Sequence, residues 1–404
     1  MKTVFSLLTF LFLCASMKAQ TDSIKSSTQP FQMSFIPPMS TNGIANQNST
    51  NNLSINIVAG YSGGLEGIEM GGLANVIKQD AKGVQLSGFT NVVGGKVEGV
   101  QLSGFANINK GSTRGIQMAG FINMVNDSSS GIQSSGFANI NNGSFSGWQN
   151  AGFVNLNQGK LQGVQTAGFT NVTADSIDGV QAAGFYNQTN GSITGVQAAG
   201  FMNLCNETLE GIQASGFLNV TKRLRGLQIG FLNFADTLEK GTPIGFLSFI
   251  RKGGFKAVEL TANETFPMGI QFKTGSDIFY NIFSLSAKTG NDFYWAWGTG
   301  FGSNLKSKGK FRINLDFTAM HVNDGTVYTD HLNLHGKTQL GFTWQAAKHF
   351  AISAGPSFNC LVVNKMNSEG IQNDAAVAPY SVLDKMYNDT RVVLWPGAFV
   401  SVRF

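Results

Sequence analysis

The sequence predicts an all-β protein in which a β-solenoid of about eleven 16-residue coils is followed by an antiparallel β-barrel of about eight to ten strands. Two observations predict this fold class. A glycine-led phrase returns every 16 residues through the middle of the chain, and from about residue 251 apolar and polar residues alternate. The composition agrees, because 50 glycines with only 8 prolines are typical of a chain with many strands and tight turns.

The first twenty residues have the pattern of a secretory signal. Lys2 precedes an apolar run from Val4 to Cys14, and small residues close the segment. We therefore expect residues 1–20 to be removed from an exported protein, and a disordered polar linker over residues 21–52 to follow. The 28 basic and 23 acidic residues leave too small an excess of positive charge to indicate nucleic acid as a partner.

The middle of the chain, residues 64–250, is a sequence repeat. Behind each repeated glycine comes a similar phrase of ten residues, as in GVQLSGFTNV at 83 and GVQLSGFANI at 99, and the remaining positions are turn-like. Two shortened copies, GLQIGFLNF at 226 and GTPIGFLSF at 241, look like a closing cap. The glycines that follow one another at a spacing of sixteen are Gly67, Gly83, Gly99, Gly115, Gly131, Gly147, Gly163, Gly179, Gly195 and Gly211.

Each repeat is too short to cross a membrane as a hairpin. Sixteen residues leave two strands of about five residues, whereas a strand that crosses a bilayer needs about 9 to 11. One coil of a solenoid fits better, and equivalent side chains then stack about 4.8 Å apart. We expect the phenylalanines, with the aliphatic residues three positions after them, to form the core of the solenoid. The phenylalanines of this prediction are Phe105, Phe121, Phe137 and Phe153.

Amide side chains recur in the same way and would form two further ladders. Each amide can donate to the coil on one side and accept from the coil on the other. Two interpretations are open: a ligand-binding face, or a hydrogen-bond stack that satisfies itself and holds the coils in register. We favour the second. The predicted ladder residues are Asn107, Asn123, Asn139, Asn155, Gln101, Gln117, Gln133 and Gln149.

The last region, residues 251–404, has a period of two. The alternation is clearest where Phe311, Ile313 and Leu315 are separated by polar residues such as Arg312. About eight such segments, most of them longer than the usual strand, predict an antiparallel barrel of the outer-membrane type. A soluble sandwich of two sheets would show the same alternation and stays open as the alternative.

The segment at residues 53–63 also alternates, through Leu53, Ile55 and Ile57. As the first barrel strand it would pair with residues 391–404 and make the solenoid an insertion in an outer loop, facing outside the cell. If only the later strands form the barrel, the chain enters from the periplasm and the solenoid lies there. We expect the first arrangement, because a linker does not explain the alternation.

The phrases GVQxxGFxN and GLQIGFLNF, over residues 67–249, resemble those of a family of repeat-containing surface proteins of Gram-negative bacteria. The last region is similar to small outer-membrane barrels in general, including Phe404, the terminal aromatic residue that such barrels present to their assembly machinery. The resemblance implies an outer-membrane or cell-surface location, with membrane lipid and the barrel-assembly machinery as partners. It implies no activity and no functional residues.

The sequence predicts no catalytic residue, no cofactor and no metal site. The repeats hold scattered single charges, unlike the clustered carboxylates of carbohydrate-cleaving β-helices. Neither a phosphate-binding loop nor a nucleophilic triad occurs at a recognisable spacing. His331 and His335 in HLNLH would share one face of a strand, but polar residues at a loop edge or in a barrel lumen explain them better than a metal site does.

The expected function is therefore non-enzymatic: a structural or adhesive surface protein anchored by an outer-membrane barrel, with an extracellular or envelope ligand that the sequence does not name. Two alternatives remain. One is a pore or transport barrel with a periplasmic solenoid, although about eight to ten strands fill their own lumen with side chains. The other is a soluble subunit of a self-assembling β fibre, which the amide ladders suggest.

Overall fold

The protein is all-β and folds into two compact units, Met1–Gly120 and Phe121–Phe404. The expected signal segment, residues 1–20, lies outside the described residues. Together the units contain about 13 solenoid coils, and an antiparallel sheet of nine strands comes after them in the chain. The computed structural model describes residues 27–290, 293–325, 332–347, 349–364 and 377–404.

The described part of the first unit is a solenoid with a 3₁₀ helix at Gly43–Asn48. Its strands are β1 (Ser27–Ile36), β2 (Met39–Ser40), β3 (Ser49–Asn56), β4 (Ala59–Ser62), β5 (Gly64–Gly71), β6 (Ala74–Ile77), β7 (Ala81–Ser87), β8 (Thr90–Val93), β9 (Val97–Ser103), β10 (Ala106–Asn109) and β11 (Thr113–Ala119). Strands β5, β7, β9 and β11 pair in parallel, and so do β4, β6, β8 and β10. From β5 on, a regular coil is one long and one short strand joined by two corners, as the repeat predicts.

Residues 27–63 form the first coils of this solenoid, where the sequence predicted a linker (residues 21–52) and then a barrel strand (residues 53–63). β1 pairs in parallel with β3, β3 with β5, and β4 with β6. Both expectations therefore need correction over the described residues. The reason is that the interior of this solenoid accommodates polar side chains as well as apolar ones: Gln32 and Asn51 are buried, and the Asn51 amide donates to the Gln32 side-chain oxygen.

The second unit begins with coils of the same construction. Asn155 pairs with Asn171 and Gln149 with Gln165, so residues sixteen apart are neighbours. The strands are β12 (Ile122–Val125), β13 (Ser129–Ser135), β14 (Ala138–Asn141), β15 (Phe145–Ala151), β16 (Val154–Asn157), β17 (Leu161–Ala167), β18 (Thr170–Thr173), β19 (Ile177–Ala183), β20 (Tyr186–Thr189), β21 (Ile193–Ala199), β22 (Met202–Ser215), β23 (Leu218–Ile229), β24 (Leu232–Ile244) and β25 (Leu247–Lys252).

The repeated glycine is required by the backbone of each coil. Gly163 has a φ of 123°, a conformation that residues with a side chain rarely adopt. A Cβ atom at this position would lie 2.2 Å from the carbonyl oxygen of Gly147 in the preceding coil. Conformation and close approach therefore both demand glycine once per coil, which explains the period in the sequence.

The nine-stranded sheet is antiparallel between all neighbouring strands, and β26 also pairs with β34, with Leu260 opposite Val402. Phe255, the first residue of β26, pairs with Gly275, the last residue of β27. The strands are β26 (Phe255–Asn263), β27 (Met268–Gly275), β28 (Tyr280–Lys288), β29 (Tyr294–Lys308), β30 (Phe311–Asn323), β31 (Asn333–Ala347), β32 (Phe350–Asn364), β33 (Leu383–Tyr387) and β34 (Thr390–Arg403).

The connections differ in length between the two ends of this sheet. Residues 276–279, 309–310 and 348–349 make short connections at the end where β26 begins. The connections at the other end include 324–332 and 365–382, which are longer. The solenoid therefore joins the sheet at the end with the short connections.

Candidate functional site: amide interior and apolar outer surfaces

The predicted amide ladders run through the interior of the solenoid. In the first unit, Asn75 donates to Asn91 and Asn91 to Asn107, each at 2.9 Å between nitrogen and oxygen. The Gln101 amide donates to the Gln85 oxygen at 2.8 Å. These side chains are buried, so they face the inside of the coils and not a ligand-accessible surface.

The same arrangement holds in the second unit. The Asn139 amide donates to the Asn155 oxygen at 2.8 Å, and the Asn155 amide donates to Asn171 at 2.9 Å. A second bond from the Asn155 amide, to the backbone oxygen of Thr166 at 2.6 Å, uses its other proton. Both N–H donors of the Asn155 amide are therefore used inside the coils. The asparagine ladder is a structural element, and its donors are not free to bind a ligand.

The sequence reasoning missed a third row of polar side chains, two positions after each ladder asparagine. Asn141 donates to the Asn157 oxygen at 3.1 Å, and Asn157 donates to the Gln149 oxygen at 3.1 Å. In later coils threonines such as Thr173 take this position. The recurring motifs NIN and NVT indicate this row in the sequence, but from the sequence alone we assigned their last residue to a turn.

The buried apolar column was also missed. It lies two positions before each repeated glycine, where side chains sixteen residues apart pack on one another inside the coils. Phe145 in this column is only 2% exposed. In the regular coils of the second unit, the side chains of this buried apolar column are Phe145, Leu161, Ile177, Ile193 and Leu209.

The phenylalanines that we expected in the core lie instead on an outer corner of the solenoid. Phe153 is 43% exposed, and its ring stacks on those of Phe137 and Phe169 at centroid distances of 5.1 and 4.9 Å. The reason is the tight Ser/Ala-Gly-Phe corner, which turns each ring away from the interior. We call the row in the second unit the phenylalanine edge; it comprises Phe121, Phe137, Phe153, Phe169, Phe185, Phe201, Phe217, Phe231 and Phe246.

Charged side chains lie at or beside the opposite corner in many of the coils. In the second-unit solenoid every charged residue falls between the end of one phrase and the next repeated glycine. We call this side the charged corner. Its residues are Asp127, Lys160, Asp175, Asp178, Glu207, Glu210, Lys222, Arg223, Arg225, Asp236, Glu239, Lys240, Arg251 and Lys252. The solenoid is therefore amphipathic across its width.

The nine-stranded sheet has buried polar side chains on one face and exposed apolar side chains on the other. On β30, Asn314 and Asp316 are buried, whereas Phe311 and Phe317 are exposed. On β27, Lys273 is 1% exposed while its neighbour Phe272 is exposed. The alternation predicted from the sequence is present, with the polar face turned inward.

Buried charges on that inner face form an ion network. The Lys273 ammonium lies 2.9 Å from a Glu259 oxygen and 2.6 Å from an Asp316 oxygen. Arg403 binds the other Glu259 oxygen at 2.5 Å, and the Tyr280 hydroxyl donates to Asp316. Five strands, β26, β27, β28, β30 and β34, are thus joined by charge-assisted hydrogen bonds at the end of the sheet where β26 begins.

The other end of the inner face is apolar around Trp395. The His335 ring stacks on the indole at a centroid distance of 5.5 Å, and its Nε2 lies 3.0 Å from the Asn359 oxygen. His331 lies outside the described residues. Within the part of the chain that the structure describes, no group of His, Cys, Asp and Glu side chains could hold a metal ion.

Phe404 directly follows β34, which pairs with β26. Its backbone nitrogen donates to the oxygen of Val258 at 2.9 Å, and its ring packs edge-on against Phe350 at 6.0 Å. The ring is more than half exposed. The terminal aromatic residue therefore lies on the outer, apolar face.

The last solenoid coil packs against the outer face of β27 and β28. Asn281 accepts a hydrogen bond from the Ser248 backbone nitrogen at 3.0 Å and donates to the Gly245 oxygen at 2.6 Å. Thr274 donates to the Ser248 oxygen at 2.9 Å. These side chains satisfy backbone groups that would otherwise form an open strand edge.

Comparison with known protein families, with curated proteins and with solved structures finds no match for this chain. None of the helices in the described residues has the length and apolar character needed to cross a membrane.

Proposed function

We propose that the nine-stranded sheet is an outer-membrane β-barrel, closed by the pairing of β26 with β34, and that the protein is a non-enzymatic, architectural component of the cell envelope. The barrel anchors the chain in lipid, with the barrel-assembly machinery as its partner in insertion. The last coil of the second-unit solenoid is attached to the barrel wall. This proposal needs no cofactor and no nucleic acid.

The proposal rests on one observation: the polar face of the sheet is buried and the apolar face is exposed. A soluble sandwich buries its apolar face, whereas here Lys273 and Asp316 are inside and Phe272, Phe317 and Phe342 are outside. Each large apolar side chain gains about 1.5–3 kcal/mol when it is fully removed from water, so such a surface favours a hydrocarbon environment. Apolar outside and polar inside is the pattern of membrane barrels.

Turn lengths support a periplasmic solenoid. Outer-membrane barrels have short periplasmic turns and longer outer loops, and the solenoid joins the sheet at the short-connection end. The outward orientation expected from the sequence depended on residues 53–63 pairing with residues 391–404. Those residues lie in solenoid strands, so the argument for surface display and adhesion loses its basis.

The two alternative functions have less support. A pore needs an open lumen, but the inner face is occupied by the ion network at one end and by Trp395 and its apolar neighbours at the other. A fibre would grow by adding strands to solenoid ends, but Asn281 and Thr274 cover the edge of the last coil.

The proposal is tested by fractionation and epitope accessibility. We expect the protein to fractionate with the outer membrane and to migrate differently in detergent gels before and after heating. An epitope inserted after Gly325 should be reached by antibody on intact cells, and one inserted after Gly159 only after permeabilisation. Recovery in the soluble fraction without detergent would overturn the barrel, and an accessible epitope at Gly159 on intact cells would reverse the orientation.

A further inference from the structure

The junction between solenoid and sheet brings the phenylalanine edge onto the outer face of the sheet. On β28, Tyr280 and Ile282 point inward, so the alternate residues Asn281 and Phe283 point outward. Asn281 holds the last coil, and the Phe283 ring lies edge-on to Phe246 with 5.7 Å between centroids. Phe246 is the last ring of the phenylalanine edge, so the edge ends on the apolar outer wall.

The row of rings also meets a groove along that wall. The groove has a volume of about 640 Å³, and its lining includes Phe246 from the solenoid with Phe279, Phe301, Phe317 and Phe358 from the sheet. Phe301, Phe317 and Phe358 are exposed on the outer face. The apolar surface of the sheet and that of the solenoid are therefore continuous.

The charged corner of the same coil lies at the rim of the sheet. Arg251 and Lys252 are followed directly by Gly253, Gly254 and the first residue of β26, at the short-connection end. The ring at one corner contacts the apolar wall while the charges at the other corner lie at its rim. This is the orientation that a bilayer would impose on an amphipathic rod.

We infer that the phenylalanine edge of the second-unit solenoid is immersed in the lipid of the periplasmic leaflet, with the charged corner in water, an inference that rests on the proposed membrane barrel. The edge extends over nine rings in single file, most of them separated by about 5 Å. An exposed apolar surface of this kind marks an interaction site. Because the phenylalanine edge is continuous with the apolar outer wall of the barrel, lipid covers both surfaces.

The test measures lipid contact with single nitroxide labels on the full mature chain in lipid vesicles. The two native cysteines of the described residues are first replaced, Cys205 by threonine, which its neighbours Thr189 and Thr221 already carry at that position, and Cys360 by serine. Labels are then placed by Phe169→Cys on the edge and by Gln158→Cys beside the charged corner. The measurement is the ratio of collision rates with oxygen, which concentrates in lipid, and with a water-soluble nickel chelate.

We expect this ratio to be several-fold higher at position 169 than at position 158. A third label, Phe342→Cys on the outer face of the barrel, separates the two proposals. Lipid contact at 342 without lipid contact at 169 would overturn the inference and leave the barrel standing, and absence of lipid contact at both would overturn both. A label at 169 that is shielded from both reagents and broadened by a second spin would also overturn the inference, because it would identify another copy of the chain as the occupant.

Discussion

The solenoid and the nine-stranded sheet both bury rows of polar side chains and expose rows of apolar ones, but they satisfy the buried polar groups differently. In the solenoid, neutral amides repeat with the coil, and each Asn or Gln uses its equivalent sixteen residues away as a partner, as Asn155 uses Asn171. In the sheet, the buried charged groups do not recur along the chain. The one Lys273 ammonium binds Glu259 and Asp316, which lie on two other strands.

The difference concerns what each interior can tolerate. A change at one member of an amide ladder removes that member's hydrogen bonds to the coils on either side, and the remaining coils keep their own. In the ion network Arg403 still binds Glu259 when Lys273 is removed, but the Asp316 carboxylate loses the ammonium at 2.6 Å. A buried charge without its partner is far more costly than an unpaired neutral amide. One substitution therefore removes only a small part of the stability of the repeated amide interior, whereas one substitution in the ion network removes a large part of the stability of the sheet.

Removal of the central charge of the network should have the largest effect. Lys273→Met leaves the Glu259 and Asp316 carboxylates buried without their shared cation, and we expect the free energy of unfolding to fall by about 3–5 kcal/mol. Urea unfolding in detergent micelles, followed by tryptophan fluorescence, measures it. Lys310→Met, at an exposed lysine, is the control. Equal stability of the two variants would mean that the network contributes nothing.

A break in the asparagine ladder should cost less. Asn155→Leu removes the acceptor of the Asn139 amide and the donor to Asn171, and each unsatisfied buried group costs about 1–3 kcal/mol. The melting temperature of the full chain should fall, and amide hydrogen exchange should accelerate in the coils around residue 155. Asn142→Leu, at an exposed corner, is the matched control. Exchange that is unchanged around residue 155 would contradict a structural role for the ladder.

The outer ring stack should contribute less again. Phe169→Leu keeps an apolar residue but removes the stacking on Phe153 and Phe185, which is about 0.5–1.5 kcal/mol for an aromatic pair. Phe145→Leu, in the buried column, is the comparison, and we expect it to lower the melting temperature more than Phe169→Leu does. The reverse order would mean that the ring stack, and not the buried column, holds the coils together.

The sequence predicted the period, the stacking of equivalent residues and the amide ladders, because a strict spacing determines which residues are neighbours. It did not determine which side of the coil they face. Phe153 was expected inside and is outside, and Gln32 was assigned to a linker and is inside. In both regions alternation marks two faces without saying which one is buried, and the usual assumption of an apolar interior is wrong for these residues.

Glu69 allows the two kinds of interior to be compared directly, because it is a carboxyl side chain within the amide interior of the solenoid. It pairs in register with Gln85, and its oxygens accept hydrogen bonds from Asn56 at 3.1 Å and from Gln85 at 2.9 Å. Burial raises the pKa of this carboxyl above its ordinary value of 4.5, although these hydrogen bonds oppose the shift. The folded chain therefore holds a proton that the unfolded chain releases between the two pKa values, and stability falls as pH rises through that window.

Glu69→Gln makes the ladder neutral: the new side-chain oxygen still accepts from Gln85, while the new NH2 group, with Ser54 in register to accept from it, takes the place of the oxygen that accepted from Asn56. We expect the smallest effect of the four variants: the melting temperature rises slightly at neutral pH, is unchanged well below the ordinary pKa of the carboxyl, and loses the part of its pH dependence that comes from this residue. Glu66→Gln, at an exposed carboxyl in the same strand, should leave that dependence intact. If both variants retain the wild-type pH profile, the buried carboxylate is tolerated as well as an amide, and a repeated interior accepts charge at no cost in stability.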